Sequence, residues 1–325
     1  MFRIRLVPVA SVLLIALSFI GTALTHSETP KLGDLRKQLD AIADGAPGKL
    51  GYSLHHLKTN DLLEKSGDES FPTDSTLKVA IMCAAMEKVE RGEIGYYDLR
   101  SLVKEDLNAG GFFNNYKLGT EVEFSEALHQ MIAVSDNTAT LMVIRWIGGT
   151  EVVNKWLDQH AFKVTRLLVY HPLSEEMQRL QRDEAAANKY VESIKKWGMG
   201  VSTPSEMRQL MELIVEGKAG TAAASDEMHR LLNHQYKDQG IASQIPPWVV
   251  VASKSGRSEH SQSDMAIVHS SSGTYVLTVF IKDSADTRPV RQNDLTKAIR
   301  AISRAVWHYY QPEDKWSPPA GAEKY

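Results

Sequence analysis

The sequence predicts an α+β fold: a five-stranded antiparallel sheet built from both chain ends and covered by terminal helices, with an all-α subdomain inserted between the strands. Three observations predict it. β-type runs lie near both ends of the mature chain, the long stretch between them is helical in pattern, and the last periodic segment is an amphipathic helix.

At the first end, Leu50, Tyr52, Leu54 and Leu57 surround a turn at Lys58-Thr59-Asn60-Asp61, which reads as a hairpin between Lys49 and Leu63. At the other end, Trp248–Ser253, Met265–His269 and Thr274–Lys282 are β-branched and aromatic runs, the last two joined across Ser270-Ser271-Ser272-Gly273. Asp294–Tyr310 then places Leu295, Ile299, Ile302 and Val306 on one helical face, suited to covering the sheet. From Thr76 to about Leu213 the spacing is helical, as in Val79, Met82, Cys83 and Met86 before a stop at Arg91-Gly92. Leu173–Trp197, rich in Glu, Gln, Arg and Ala, reads as polar helix or solvated loop. The expected organisation is one catalytic domain over 28–312, with an α/β part near 28–70 and 214–312, a helical part near 71–213 and a tail at 313–325. A cleft is expected where the two parts meet.

Of the 325 residues 43% are hydrophobic and 24% charged, enough for a sizeable core and unlike a disordered or collagenous chain. With 37 Lys+Arg against 40 Asp+Glu and no basic block, nucleic acid is not expected as a partner. The single Cys83 permits no intramolecular disulfide and no cysteine zinc cluster. Adjacent His55 and His56 on a strand point to opposite faces, so no metal site is expected, and no cofactor. Arg3 and Arg5, then an apolar run from Leu6 to Ile20, then Gly21, Thr22 and Ala23 read as a signal peptide. It is placed at 1–27, with cleavage after Thr25 or Ser27 and an uncleaved anchor as the alternative. A secreted or periplasmic monomer acting on a small molecule, with no membrane contact beyond that segment, is the expectation.

Chemistry concentrates in three short motifs. Ser75 sits at the start of the helix that runs to Arg91, and Lys78 follows three residues later on the same face. A hydroxyl is a weak nucleophile, and an amine whose pKa is depressed can serve as its base. Ser135-Asp136-Asn137 lies on a short loop between helical runs, where a hydroxyl can relay a proton and an amide can bind a substrate carbonyl. Asp136 as a simple helix cap is the plain alternative. Lys254-Ser255-Gly256 ends the strand begun at Trp248 and is followed by Arg257, putting a cation and a hydroxyl at a cleft edge.

Ser-x-x-Lys, Ser-Asp-Asn and Lys-Ser-Gly in this order resemble the motif set of class A β-lactamases and penicillin-binding proteins, with Ser255 where the third motif usually carries Thr. Phe71-Pro72, Ile147-Gly148-Gly149, Val164-Thr165-Arg166-Leu167 and Ser202-Thr203-Pro204 extend the resemblance over nearly all of the mature chain. It implies an exported serine hydrolase that opens a β-lactam amide through an acyl-enzyme. In that scheme Ser75 is the nucleophile, Lys78 its basic partner, Ser135 the relay and Asn137 a substrate-amide contact. Lys254 and Ser255 clamp a carboxylate, and the backbone N–H groups of Ser75 and Arg257 form the oxyanion hole. Phe112 and Phe113 read as an aromatic lip or as ordinary packing.

The resemblance breaks after Arg166-Leu167. The family's water-activating Glu is replaced by His171, ahead of Pro172, and the segment to Thr203-Pro204 is longer than usual. An imidazole titrating near neutrality suits proton abstraction, so His171 is read as the replacement base. Glu175, Glu176 or Glu184 reaching in from the inserted segment is a second reading, and a loop histidine without catalytic part a third. Two other functions stay open: a penicillin-sensitive peptidase or esterase acting on a peptidoglycan-like substrate, and a β-lactam binder or sensor that is acylated without turnover.

Overall fold

The computed structural model describes residues 31–236, 240–290 and 292–322; the segment read as a signal peptide lies outside them. Alternation in the C-terminal strands sets the architecture. The sheet contains β1 (Lys49–His56), β2 (Asp61–Lys65), β3 (Val251–Arg257), β4 (Gln262–Ser270) and β5 (Gly273–Lys282), in the order β2-β1-β5-β4-β3 with every pair antiparallel. On β4 and β5, Met265, Ile267, Val276 and Phe280 join one apolar cluster, while Ala266, Val268, Tyr275, Leu277, Val279 and Ile281 join another. The second cluster is closed by α1 (Leu32–Asp44) and α10 (Asp294–Tyr310), the first by the inserted helices. Covering on both faces explains why β5 reads as a continuous apolar run rather than an alternating one. The expected α10 face, Leu295, Ile299, Ile302 and Val306, is fully buried, each such side chain contributing about 1.5–3 kcal/mol.

The inserted layer holds α2 (Lys78–Glu90), α3 (Phe124–Ala133), α4 (Asn137–Ile147), α5 (Thr150–Gln159), α6 (Glu175–Leu180), α7 (Glu184–Trp197), α8 (Pro204–Val215) and α9 (Ala222–Asn233). Helix α2 buries every residue from Lys78 to Met86, so it runs through the middle of the layer. Helices α8 and α9 extend this layer to Asn233, because Met228, Leu231 and Leu232 join the same apolar cluster as α2. The polar run is two helices, α6 and α7, neither of which buries a residue. No helix among the described residues is long and apolar enough to cross a membrane.

Two local readings differ from expectation. The strand expected from Trp248 begins at Val251 and carries its pairing through Arg257. Pro246 and Pro247 have no N–H to donate to a ladder, and Trp248 is exposed. Within the helical stretch, the strands Phe71–Pro72, Arg166–Leu167 and Gly200–Ser202 form a small second sheet, too short to show a period of two.

Candidate active site

Ser75 lies on a single 3-10 turn, Asp74–Leu77, that leads into α2. The sheet fixes that turn through the β3–β4 hairpin. Ser263 Oγ donates to the Thr73 carbonyl at 2.7 Å, and Ser261 Oγ donates to the Asp74 carboxylate at 2.9 and 3.0 Å. Asp74 adopts a left-handed φ of 46°, a strained conformation of the kind that persists only where surrounding contacts enforce it. Burial pushes its carboxyl up to about 6, against the hydrogen bonds from Ser261 and Ser258. Gly256 completes the docking: a Cβ there would stand 2.5 Å from Ser75 N and 2.7 Å from Asp74 Cβ. The glycine is therefore what lets strand β3 touch the nucleophile's backbone.

Lys78 is fully buried, and its Nζ donates to Asn137 Oδ1 at 2.8 Å and to the Ser135 carbonyl at 2.7 Å and lies 3.2 Å from Ser135 Oγ. Ser135 has a left-handed φ of 60° and presents both its carbonyl and its hydroxyl to this one amine. From the opposite side Lys254 Nζ donates to Ser135 Oγ at 3.1 Å and to the Ser255 carbonyl at 2.7 Å. Lys254 reaches it because its ladder partner is Met265, which faces the helical layer. Desolvation holds Lys78 well below the ordinary lysine range, Lys254's charge adding to the effect and Asp136 opposing it. Desolvation also brings Lys254 down to about 7, opposed by Asp264. Two amines of lowered basicity thus face one hydroxyl.

Strand β3 is an edge strand, so alternate N–H groups face no neighbour in the sheet. Ser255 N–H shows which ones: it donates outward, to Gln235 Oε1 at 2.9 Å. Arg257 N–H shares that parity and faces the same open edge. The Arg257 guanidinium does not stay in the cleft; it is exposed and bound to the carbonyls of Val290, at 3.1 Å, and Arg288. Asn137 lies beside Lys78, and its Nδ2 also donates to the Ala109 carbonyl at 2.7 Å. Asp136 is the cap of α4, its two oxygens accepting from Ala139 N–H at 2.8 Å and Phe113 N–H at 2.9 Å. Of the two phenylalanines only Phe112 is exposed; Phe113 is core.

His171 is the correction. The Leu173 N–H donates to its Nδ1 at 3.1 Å, which puts the ring proton on Nε2, and Nε2 lies 3.0 Å from Asp106 Oδ1. Both nitrogens are spent, and the ring is 2% exposed. A base needs a free lone pair facing water, whereas this imidazole ties the loop to Asp106, which Arg145 also holds through Nε at 2.8 Å and Nη2 at 2.7 Å. Burial raises the Asp106 carboxyl, but the bonds from His171 and Arg145 outweigh it and leave it below the usual range. Glu175 and Glu176 line a separate cavity of about 430 Å³ with His171, and Glu184 is exposed at the start of α7. Among the described residues, no carboxylate hydrogen-bonds Lys78.

The sequence reading missed two residues behind the clamp. Gln235, 7% exposed, binds Ser255 twice. Asp264, opposite Ser255 in the ladder, accepts from Ile241 N–H at 2.8 Å and is pushed up to about 7 by burial. An acid inside the apolar run after Ser263 was a visible signal for Asp264; nothing local marked Gln235.

A serine on a short turn, a desolvated amine and a second hydroxyl set between a sheet edge and a helical layer suit serine acyl transfer. The family model described as the β-lactamase enzyme family matches residues 34–310, and the chain belongs to that family; its fold and motifs are those of a class A β-lactamase-like serine hydrolase. Similar curated proteins include the β-lactamase VEB-1 of Pseudomonas aeruginosa, 20% identical over 93% of this chain and 98% of that protein. Another is a β-lactamase of Rhodobacter capsulatus, 23% identical over 91% and 96%. Among solved structures, a β-lactamase from Sphaerobacter thermophilus superposes with a TM-score of 0.72 at 20% identity, covering 86% of this chain and 98% of that one. A mutant of PBP-A, solved as an acyl-enzyme complex with penicillin G, gives 0.73 at 20% identity, covering 87% and 98%.

Proposed function

We propose that the protein is an exported hydrolase that opens the amide of a β-lactam ring through an acyl-enzyme on Ser75 and releases the acyl group slowly. The observation that supports it best is Lys78, a fully buried amine of lowered basicity held by Ser135 and Asn137, with no hydrogen-bonded carboxylate among the described residues. Neutral Lys78 takes the Ser75 hydroxyl proton as Oγ bonds to the lactam carbonyl carbon, and the oxyanion faces the N–H groups of Ser75 and Arg257. The C–N bond then breaks as the Ser135 hydroxyl gives its proton to the leaving nitrogen. Lys78 reprotonates Ser135 and is neutral again. Lys254 and Ser255 hold the substrate carboxylate. The names of the relatives and the penicillin adduct of the PBP-A mutant support this substrate class.

Hydrolysis of the ester requires a water whose proton is accepted as its oxygen attacks, after which Ser75 leaves with a proton. A dedicated base typically contributes about 10² to 10⁴ in rate. Here His171 is turned away and the acceptor that remains is Lys78 itself, so release lags behind acylation. The test is intact-protein mass after a penicillin pulse and chase, with parallel turnover of a chromogenic cephalosporin. The expected result is an adduct on the Ser75 peptide that decays at the turnover rate. Neither adduct nor turnover would remove the β-lactam reading; turnover with no adduct at any time would remove slow release.

A further inference from the structure

We infer that Gln235 is a positioning residue that fixes the polarity of the Ser255 hydroxyl, making it a dedicated donor to a substrate carboxylate; this rests on the function proposed above. The orientation of the Gln235 amide is forced by chemistry. The Ser255 backbone N–H can only donate, so the atom 2.9 Å from it must be the amide oxygen. The amide nitrogen then faces Ser255 Oγ at 2.7 Å and donates to it. One lone pair of the hydroxyl is thereby occupied, and its single proton has to leave in another direction.

The acceptors around Ser255 narrow that direction. Lys254 Nζ is a donor and is already directed at Ser135 Oγ and the Ser255 carbonyl. Asp264 lies opposite in the ladder and takes the Ile241 N–H, and among the described residues no hydrogen bond joins it to Ser255 Oγ. The direction left open is solvent, since Ser255 is the one residue from Val251 to Gly256 that is not buried, and there an acceptor-only carboxylate would meet the Ser255 proton beside the Lys254 ammonium. Burial of Gln235 keeps water from competing for the same lone pair. A glutamate at 235 would reverse the arrangement: its carboxylate would accept from both the N–H and the hydroxyl, turning the proton away from substrate while keeping the backbone tie.

The experiment compares acylation by a penicillin with acylation by its neutral methyl ester, in wild type, Q235E, Q235A, S255A and the Q235E/S255A double variant. A hydrogen bond to a charged group supports about a ten-fold effect. Acylation efficiency on the carboxylate relative to the ester is expected to fall about ten-fold in Q235E and by less in Q235A. In the S255A background, Q235E should change the ratio no further. Equal losses on both substrates would reduce Gln235 to a structural tie, and a full Q235E effect without the Ser255 hydroxyl would mean simple charge repulsion; either overturns the proposal. Because Q235E keeps the acceptor for Ser255 N–H, it tests the idea even if Q235A unfolds. Wild type that no penicillin acylates would instead bring down the function reading, and wild type acylated equally by acid and ester would remove only the clamp.

Discussion

The wall that carries the three motifs and the loop that follows Arg166-Leu167 are built by opposite means. On the first, Lys78 and Lys254 are fully buried, and the turn carrying Ser75 is held by Gly256, Ser261 and Ser263 of one hairpin. On the second, α6 and α7 bury no residue, and the segment before them is tied down by the His171–Asp106–Arg145 cluster. Desolvation is the main cause of the lowered pKa of both amines, and only the core side can supply it. Solvated helices can wall a site but supply no desolvated base. The two sides of the site therefore differ in what they can do to a titratable group: one buries it, the other leaves it in water.

The most severe way to probe the buried wall is at its centre. Ser75→Ala should abolish covalent labelling by penicillin as read by intact mass, with the fold retained. Lys78→Ala should slow acylation by about 10² to 10⁴ in stopped-flow assays, the value of a positioned base; unchanged kinetics would mean the amine is a bystander. Gly256→Ala tests the docking instead of the chemistry. Its methyl has to displace the Ser75 backbone by an amount that nothing flexible can absorb. Overpacking of this kind costs about 1–3 kcal/mol, so a lowered melting temperature together with at least ten-fold slower acylation is expected. Normal acylation in that variant would show that β3 does not set the nucleophile's position.

The contrast also sets what the sequence could reveal. Helix α10 and the β1–β2 hairpin were legible because each is written in contiguous residues, an apolar face and a turn, and the three short motifs stand out for the same reason. Ser255 and Lys254 pointing to different faces depends on register with β4, and the outward direction of Arg257 N–H depends on which alternate groups the sheet leaves unpaired. Those facts belong to tertiary pairing. His171 was misread for the same reason. Its partner Asp106 lies 65 residues earlier, and only the fold shows that both ring nitrogens are taken.

On the loop side the expected effects are smaller and of another kind. His171→Ala removes one donor from buried Asp106 and one acceptor from Leu173 N–H, costing about 1–3 kcal/mol in denaturant unfolding. Arg145 retains its two bonds to Asp106, so the loop should stay in place. The acyl-enzyme lifetime should change by less than about twofold, the small effect expected of a group that is not the general base, and its pH profile should keep its shape. A long-lived adduct in this variant, or a deacylation rate that no longer falls with acidification, would restore the imidazole as base.

Asp264→Asn sharpens the comparison most finely, because it separates stability from binding within the buried wall. The folded Asp264 carboxyl is pushed up to about 7, against about 3.9 in an unfolded chain. Between those values the folded state holds more protons than the unfolded one, so its contribution is intact below about pH 4 and is lost as pH rises through about 7. Asparagine keeps an acceptor for Ile241 N–H without the charge, and Gly240, where a Cβ would stand 1.7 Å from Asp264 Oδ2, leaves room for it. Relative to wild type the variant should therefore gain stability between pH 5 and 8, by an amount on the order of a few kcal/mol. Binding should move the other way. Asp264 is the group that opposes the fall in Lys254's pKa, so without it Lys254 is less often charged at neutral pH and KM for carboxylate-bearing substrates rises. Unfolding in urea at both pH values, with KM measured alongside, checks the pair of effects: a stability difference that does not vary with pH would mean that Asp264 stays ionised throughout, as the fixed counter-ion of Lys254.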